Sequence, residues 1–263
     1  MSTTNPLLAS LAKMPGSTFR LPSQGLFYDS GELDPSVKNG EVEVYPMTAI
    51  DEIILSTPDK LLSGKAITEV FARCVPQILN PDKLLAKDVD FLMICLRLAS
   101  FGSTLEIDHK HNCTDAKKHQ YRVVLDDMVK STKSIDPTSL QREYVVTMPN
   151  GQVVALKPLT YSNVVQLYQT TALIKGTDLT QTEAEQLVVD TLASVIKSVD
   201  DVSDAAMIRE WVLNVPLGWK KQLEKAAQHV SDWGIDLVHR DVCRDCGEVI
   251  EIPIAANPVS FFM

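Results

Sequence analysis

The segment of this chain best equipped for chemistry is Cys243-Arg-Asp-Cys246-Gly247. Two thiols three positions apart, followed by a glycine that lets the chain double back, make the knuckle with which zinc ribbons face two sulfurs toward one tetrahedral ion. A strand-like run, Glu248-Val-Ile-Glu-Ile-Pro-Ile254, follows. Such a knuckle supplies two of the four ligands a structural zinc needs. A second polar cluster, Asp108-His109-Lys110-His111-Asn112-Cys113, offers the missing half, with His119 just beyond. When Phe101-Gly102 is aligned with Trp233-Gly234, His111 falls opposite Cys243, both ten residues past the aromatic, and Cys113 falls one position short of Cys246. The expectation is one zinc bound by Cys243, Cys246, Cys113 and His111, with His119 as the alternative fourth ligand and His109 as a further candidate. The plainer alternative is a pair of surface hairpin tips, the first a degenerate relic.

Other chemistry finds little support. A lone Cys-x-x-Cys serves redox enzymes too, but no thioredoxin-like βαβ pattern surrounds this one. There is no Gly-rich phosphate loop and no His-Glu-x-x-His. Gly-x-Ser-x-Gly is likewise missing. The pairs Asp88/Asp90 and Asp126/Asp127 read as helix caps and solvated faces, and His229 as a surface or core histidine. Trp211, Trp219 and Trp233 read as core. A zinc held by four protein groups is closed and structural, so no catalytic residue is assigned and the chain is not read as an enzyme.

Positioning these clusters requires the elements before them. Pro46 is followed 18 positions later by Gly64, and Pro158 by Gly176 at the same interval; each stretch continues through helices to its aromatic-Gly pair and its cluster. This suggests a chain that contains itself twice. The expected fold is mainly α with small β-hairpins (α+β), in two pseudo-repeat helical lobes, each ending in a zinc-ribbon-like hairpin. Residues 1–18 form a flexible N-terminal arm, 19–130 the first lobe, 131–141 a linker, and 142–263 the second lobe. Phe19–Tyr28 is extended and bent at Pro22 and Gly25, Asn39-Gly40 is a turn, and Glu41–Tyr45 alternates as a strand. Apolar spacing marks helices at 49–55, 66–78 and 89–100, with a restart at Thr57-Pro58. In the second half it marks 161–174, 182–199, 205–212 and 219–233, with Asp201 or Ser203 as an N-cap. A hairpin is expected around Pro149-Asn150-Gly151.

Composition narrows the partners. With 45% hydrophobic and 22% charged residues the chain is of the folded, soluble kind. A formal charge of −9 argues against a general nucleic-acid binder, and His109–Arg122 is its one locally basic stretch. No apolar run reaches the 18 residues of a membrane span, and the N-terminus does not read as a secretory signal. Of five cysteines, Cys74 and Cys95 sit in apolar helical stretches and fit reduced, buried thiols.

Several blocks carry a family resemblance: Phe19-Arg-Leu-Pro-Ser-Gln-Gly-Leu-Phe-Tyr28, Glu41-Val-Glu-Val-Tyr-Pro-Met-Thr48, Asp51-Glu-Ile-Ile-Leu55 and Pro58-Asp-Lys-Leu-Leu-Ser-Gly64. Asp88-Val-Asp-Phe91, Arg97-Leu-Ala-Ser-Phe-Gly102 and the final Cys-x-x-Cys hairpin with Asn257-Pro258-Val-Ser-Phe-Phe262 join them. The chain resembles the baseplate hub proteins of T-even-like contractile-tailed bacteriophages. The resemblance implies a structural or assembly component of the central hub, located in the virion tail baseplate and assembled in the host cytoplasm. Implied partners are other hub proteins and the tape measure protein, with homo-oligomers common in such hubs. A transient tail assembly chaperone is the alternative, and a metal-dependent hydrolase a remote one. Where the resemblance implies Cys-x-x-Cys in the first hairpin, this chain has His111-Asn112-Cys113-Thr114.

Overall fold

The computed structural model of the chain describes residues 15–113, 117–138, 144–173, 180–254 and 261–262. Most of the expected N-terminal arm, Gly176 of the supposed second copy, Thr114 and residues 257–260 lie outside that set. Strand β1 (Ser17–Arg20) pairs antiparallel with β2 (Glu41–Val44), placing Phe19 opposite Val42. In β2 the glutamates face out while Val42 and Val44 are buried, the period of two that a half-buried strand requires.

Helix α1 (Ala49–Leu55) opens on a capping box in which Thr48 and Asp51 satisfy each other's backbone N–H groups. Helix α2 (Pro58–Leu62) starts on a proline and ends at a tight corner, Gly64. Gly64 has φ +74°, and a Cβ there would sit 2.6 Å from Val165 Cγ2 on a later helix, so both backbone and space demand glycine. Helix α3 (Lys65–Cys74) buries Ile67, Val70, Phe71 and Cys74 along one face. It ends four residues before the expected Ile78, because Pro76 disfavours helix at the residue ahead of it.

Helix α4 (Ala86–Phe101) is the centre of the first core, with Leu92, Ile94, Cys95 and Leu96 essentially without solvent exposure. Its first turn holds a fully buried Asp88. That carboxylate accepts hydrogen bonds from the Ser23 N–H at 3.1 Å and the Tyr28 hydroxyl at 2.7 Å, and the Tyr28 oxygen accepts from Leu85 N–H. Burial pushes the Asp88 carboxyl up to about 6, against the pull of those donors. The extended segment after β1 is thereby pinned to the helix.

A hairpin, β3 (Thr104–Lys110) with β4 (Lys118–Val124), precedes α5 (Leu125–Lys130). Within the expected linker, Lys133 exchanges backbone hydrogen bonds with Gly234, and Ile135 is buried. Strands β5 (Val145–Thr147) and β6 (Val153–Leu156) form the hairpin around Pro149-Asn150-Gly151. Helix α6 (Tyr161–Leu173) and helix α7 (Gln181–Val195) follow, the latter with a Thr180/Glu183 capping box. The chain then enters β7 (Ile196–Val199), which pairs with β6, before α8 (Ala205–Asn214) and α9 (Leu217–Val230). Asp204, not Asp201 or Ser203, caps α8. The last hairpin is β8 (Val238–Val242) with β9 (Val249–Pro253).

This architecture corrects two expectations. Among the described residues there are nine α-helices and nine strands in four small sheets, so the fold is mixed α+β, not mainly α. The pseudo-repeat lobes are not found either. In the first half β2 pairs with a strand ahead of it, whereas β6 lies in the middle of a three-stranded sheet between β5 and β7. Strand β7 was hidden because Ile196-Lys-Ser-Val199 continues the apolar spacing of α7, so one long helix to Val199 was expected.

Four apolar clusters organise the interior among the described residues, the fourth being a small one of Leu85, Ile135 and Trp233. The first gathers α3, α4, β2 and Leu125 with Ile235, Ile254, Phe261 and Phe262 from the far end of the chain. The second is built from β5–β7 and α7–α9. The third is small: Tyr121, Cys243, Ile250 and Ile252, with Ile107 and Cys113 against it. It joins the two hairpins.

Candidate metal centre

Hairpin β3–β4 holds Ile107 opposite Tyr121, His109 opposite His119 and Lys110 opposite Lys118. Residues beyond Lys110 form its tip, which presents His111 and Cys113. Hairpin β8–β9 closes at Val242 opposite Val249, and its turn is the knuckle itself. There Cys243 N–H donates to Glu248 O at 2.8 Å and Gly247 N–H to Cys243 O at 2.9 Å, with Gly247 at φ +77° to complete the reversal. The small apolar cluster beneath presses the two tips together.

The result is a four-residue group. Ligand atoms of His111, Cys113, Cys243 and Cys246 all lie within 4.8 Å of one another. Cys246 Sγ is 3.4 Å from His111 Nδ1. Zinc with sulfur at ~2.3 Å and nitrogen at ~2.0 Å sets tetrahedral ligand atoms about 3.5–3.8 Å apart. The His111–Cys246 pair, at 3.4 Å, is close to the short end of that range. Cys243 is buried, His111 and Cys113 are half-buried, and Cys246 is exposed.

The electrostatics of the group favour a cation. Backbone N–H groups of Cys246 and Asp245 point at the Cys243 sulfur and pull its thiol down to about 6. Cys113 is pushed the other way, to about 11, by burial and then by the neighbouring sulfurs of Cys243 and Cys246. Sulfurs this close oppose one another's ionisation, and a divalent cation is the kind of group that lets all three ionise together.

The remaining expected residues are placed differently. His119 stands outside the group of four; its Nε2 is 2.9 Å from Asp245 Oδ2, a close approach between β4 and the knuckle. Asp245 also accepts from Lys117 N–H at 2.9 Å, and that bond, then His119, holds its carboxyl below the usual range. His109 lies beside the Tyr121 ring, with centroids 6.3 Å apart. His239 sits on β8, its Nε2 3.6 Å from Asp241 Oδ2. Sequence reading missed the supporting set, Asp245, Arg244 and Tyr121. Arg244 lies 5.3 Å above the Tyr121 ring, so the two residues inside Cys-x-x-Cys both grip the first hairpin. Their signal was present as charged residues between the cysteines, but it names no partner until the hairpins are placed.

Cys74 and Cys95 are buried in the first core, far from this chemistry, and burial raises both thiols, Cys74 to about 12. A family model described as T4 bacteriophage base plate protein matches residues 32–262. No curated protein and no solved structure matches the chain.

Proposed function

The chain belongs to the T4 bacteriophage base plate protein family, whose place is the tail baseplate of the virion, and from that premise we propose that it is a structural component of the central hub whose two hairpins are stapled by zinc. The observation that carries the staple is the convergence of His111 and Cys113 with Cys243 and Cys246, residues up to 135 positions apart in the sequence. Three sulfurs and one imidazole suit zinc over calcium or magnesium, which prefer oxygen. In this reading His111, Cys113, Cys243 and Cys246 are the ligands, and His119 supports the site through Asp245. Four protein ligands fill a tetrahedral ion and leave no position for substrate, so the role is structural and not catalytic.

The hub assignment draws on the resemblance of the N-terminal blocks and on surfaces suited to assembly. Ile50 and Ile53 on α1, Leu62 on α2 and Tyr168 on α6 are each more than half exposed. The partners proposed are other hub proteins and the tape measure protein, which the resemblance implies. Quantitative mass spectrometry of purified tail particles tests this part. A fixed copy number per baseplate supports a permanent hub subunit. Absence from finished particles overturns it in favour of a chaperone that departs. Elemental analysis of the purified chain tests the staple, with about one zinc per chain expected.

A further inference from the structure

A cleft of about 560 Å³ opens between α6, α7, β7 and the start of α8, well apart from the metal cluster. Its charged lining is Lys157, Lys197, Arg209 and Asp190. Arg209 Nε is bound to Asp190 Oδ1 at 2.7 Å, so those two charges answer each other. Among the described residues neither lysine has a carboxylate within 4 Å. Counted over its described lining residues, the cleft therefore carries a formal charge of about +2 in a chain whose net charge is −9. Side-chain amides of α6, Asn163 and Gln166 among them, line another side and add neutral donors.

We propose that this cleft receives a carboxylate-bearing peptide segment of a partner protein. Its volume falls within the roughly 300–1,000 Å³ usual for ligand sites. Two unpaired ammonium groups suit two acidic side chains, or one acidic side chain and a chain terminus. No aromatic side chain lines the cleft, so a nucleic-acid base would find no stacking surface there. The charge argument is independent of the hub assignment; only the choice of a protein as the source of carboxylates rests on the baseplate family.

The test uses the full chain and a fluorescent hexaglutamate peptide, with hexaglutamine and inorganic phosphate as comparison probes. Saturable 1:1 binding of hexaglutamate that weakens with salt is expected, with no binding of hexaglutamine. A Lys157→Gln/Lys197→Gln double variant should bind at least tenfold more weakly, and Lys197→Gln alone by a smaller factor. Lys130→Gln, on α5 away from the cleft, should bind as the parent does. All three variants are checked for unchanged melting temperature. No hexaglutamate binding, an equal loss in Lys130→Gln, or displacement of the peptide by phosphate at similar concentration would each overturn the proposal.

Discussion

Among the described residues, twenty-six buried side chains drawn from both halves of the chain make one apolar core around α4, whereas four are buried between the paired hairpins. The first region is held by hydrophobic burial, at roughly 1.5–3 kcal/mol for each large side chain removed from water. The second has two-stranded sheets, a form that is marginal in water without further support. What it has in place of a core is a ring of sulfur and imidazole at the tips and charged residues inside the knuckle that reach across. The difference teaches that packing suffices where many apolar residues converge, and that where few do the proposed metal is the device that would hold the strands.

The sharpest break between the regions should come from taking the ligands away. Chelation, or Cys243→Ser/Cys246→Ser, is expected to accelerate amide exchange at the tip halves of β3, β4, β8 and β9 by at least about a hundredfold, ~3 kcal/mol of local stability. Exchange in α4 should stay as it was. Equal loss in α4 would show that the hairpins are not a separate unit.

Leu92→Ala acts on the other region. With Leu92 fully buried, about 3–4 kcal/mol of global stability should be lost in urea unfolding. Metal content should be unchanged.

Asp88 gives the helical core a pH dependence of its own. With its carboxyl raised to about 6, the folded chain keeps a proton that the unfolded chain has already released above about pH 4. Its stabilising contribution is complete below the unfolded pKa and fades as pH rises through 6, by at most about 3 kcal/mol. Unfolding free energies measured from pH 4 to 7 should show the parent losing ground to Asp88→Asn as pH rises. Parallel curves for the two would contradict this.

Gly64→Ala should cost about 1–3 kcal/mol, from the positive φ and the approach to Val165, and lower the thermal midpoint without touching the hairpins. A thermal midpoint equal to that of the parent would mean that the α2–α3 corner yields freely.

The four clustered residues were more legible in the sequence than the architecture that gathers them. Cys-x-x-Cys-Gly fixes its own local geometry, so Cys243 and Cys246 could be named from spacing alone, and alignment of the aromatic-Gly pairs brought in His111 and Cys113. That alignment named two residues whose ligand atoms the fold brings within 4.8 Å of those of Cys243 and Cys246, through a duplication that the sheets do not display. Long apolar helices such as α4 were plain because their side chains are buried over four turns. Strand β7 was not, since four residues that continue a helical spacing cannot announce that they pair with a distant β6. His119 was ambiguous for a related reason. Its distance along the chain from Cys113 suits a ligand, and only the placement of Asp245 turns it elsewhere.

The central claim is that the hairpins are joined by a metal, and elemental analysis of the chain purified without chelator tests it most directly. The account predicts about one zinc per chain, lost in Cys243→Ser/Cys246→Ser. Protein free of metal, or zinc retained in full by that double variant, would contradict it.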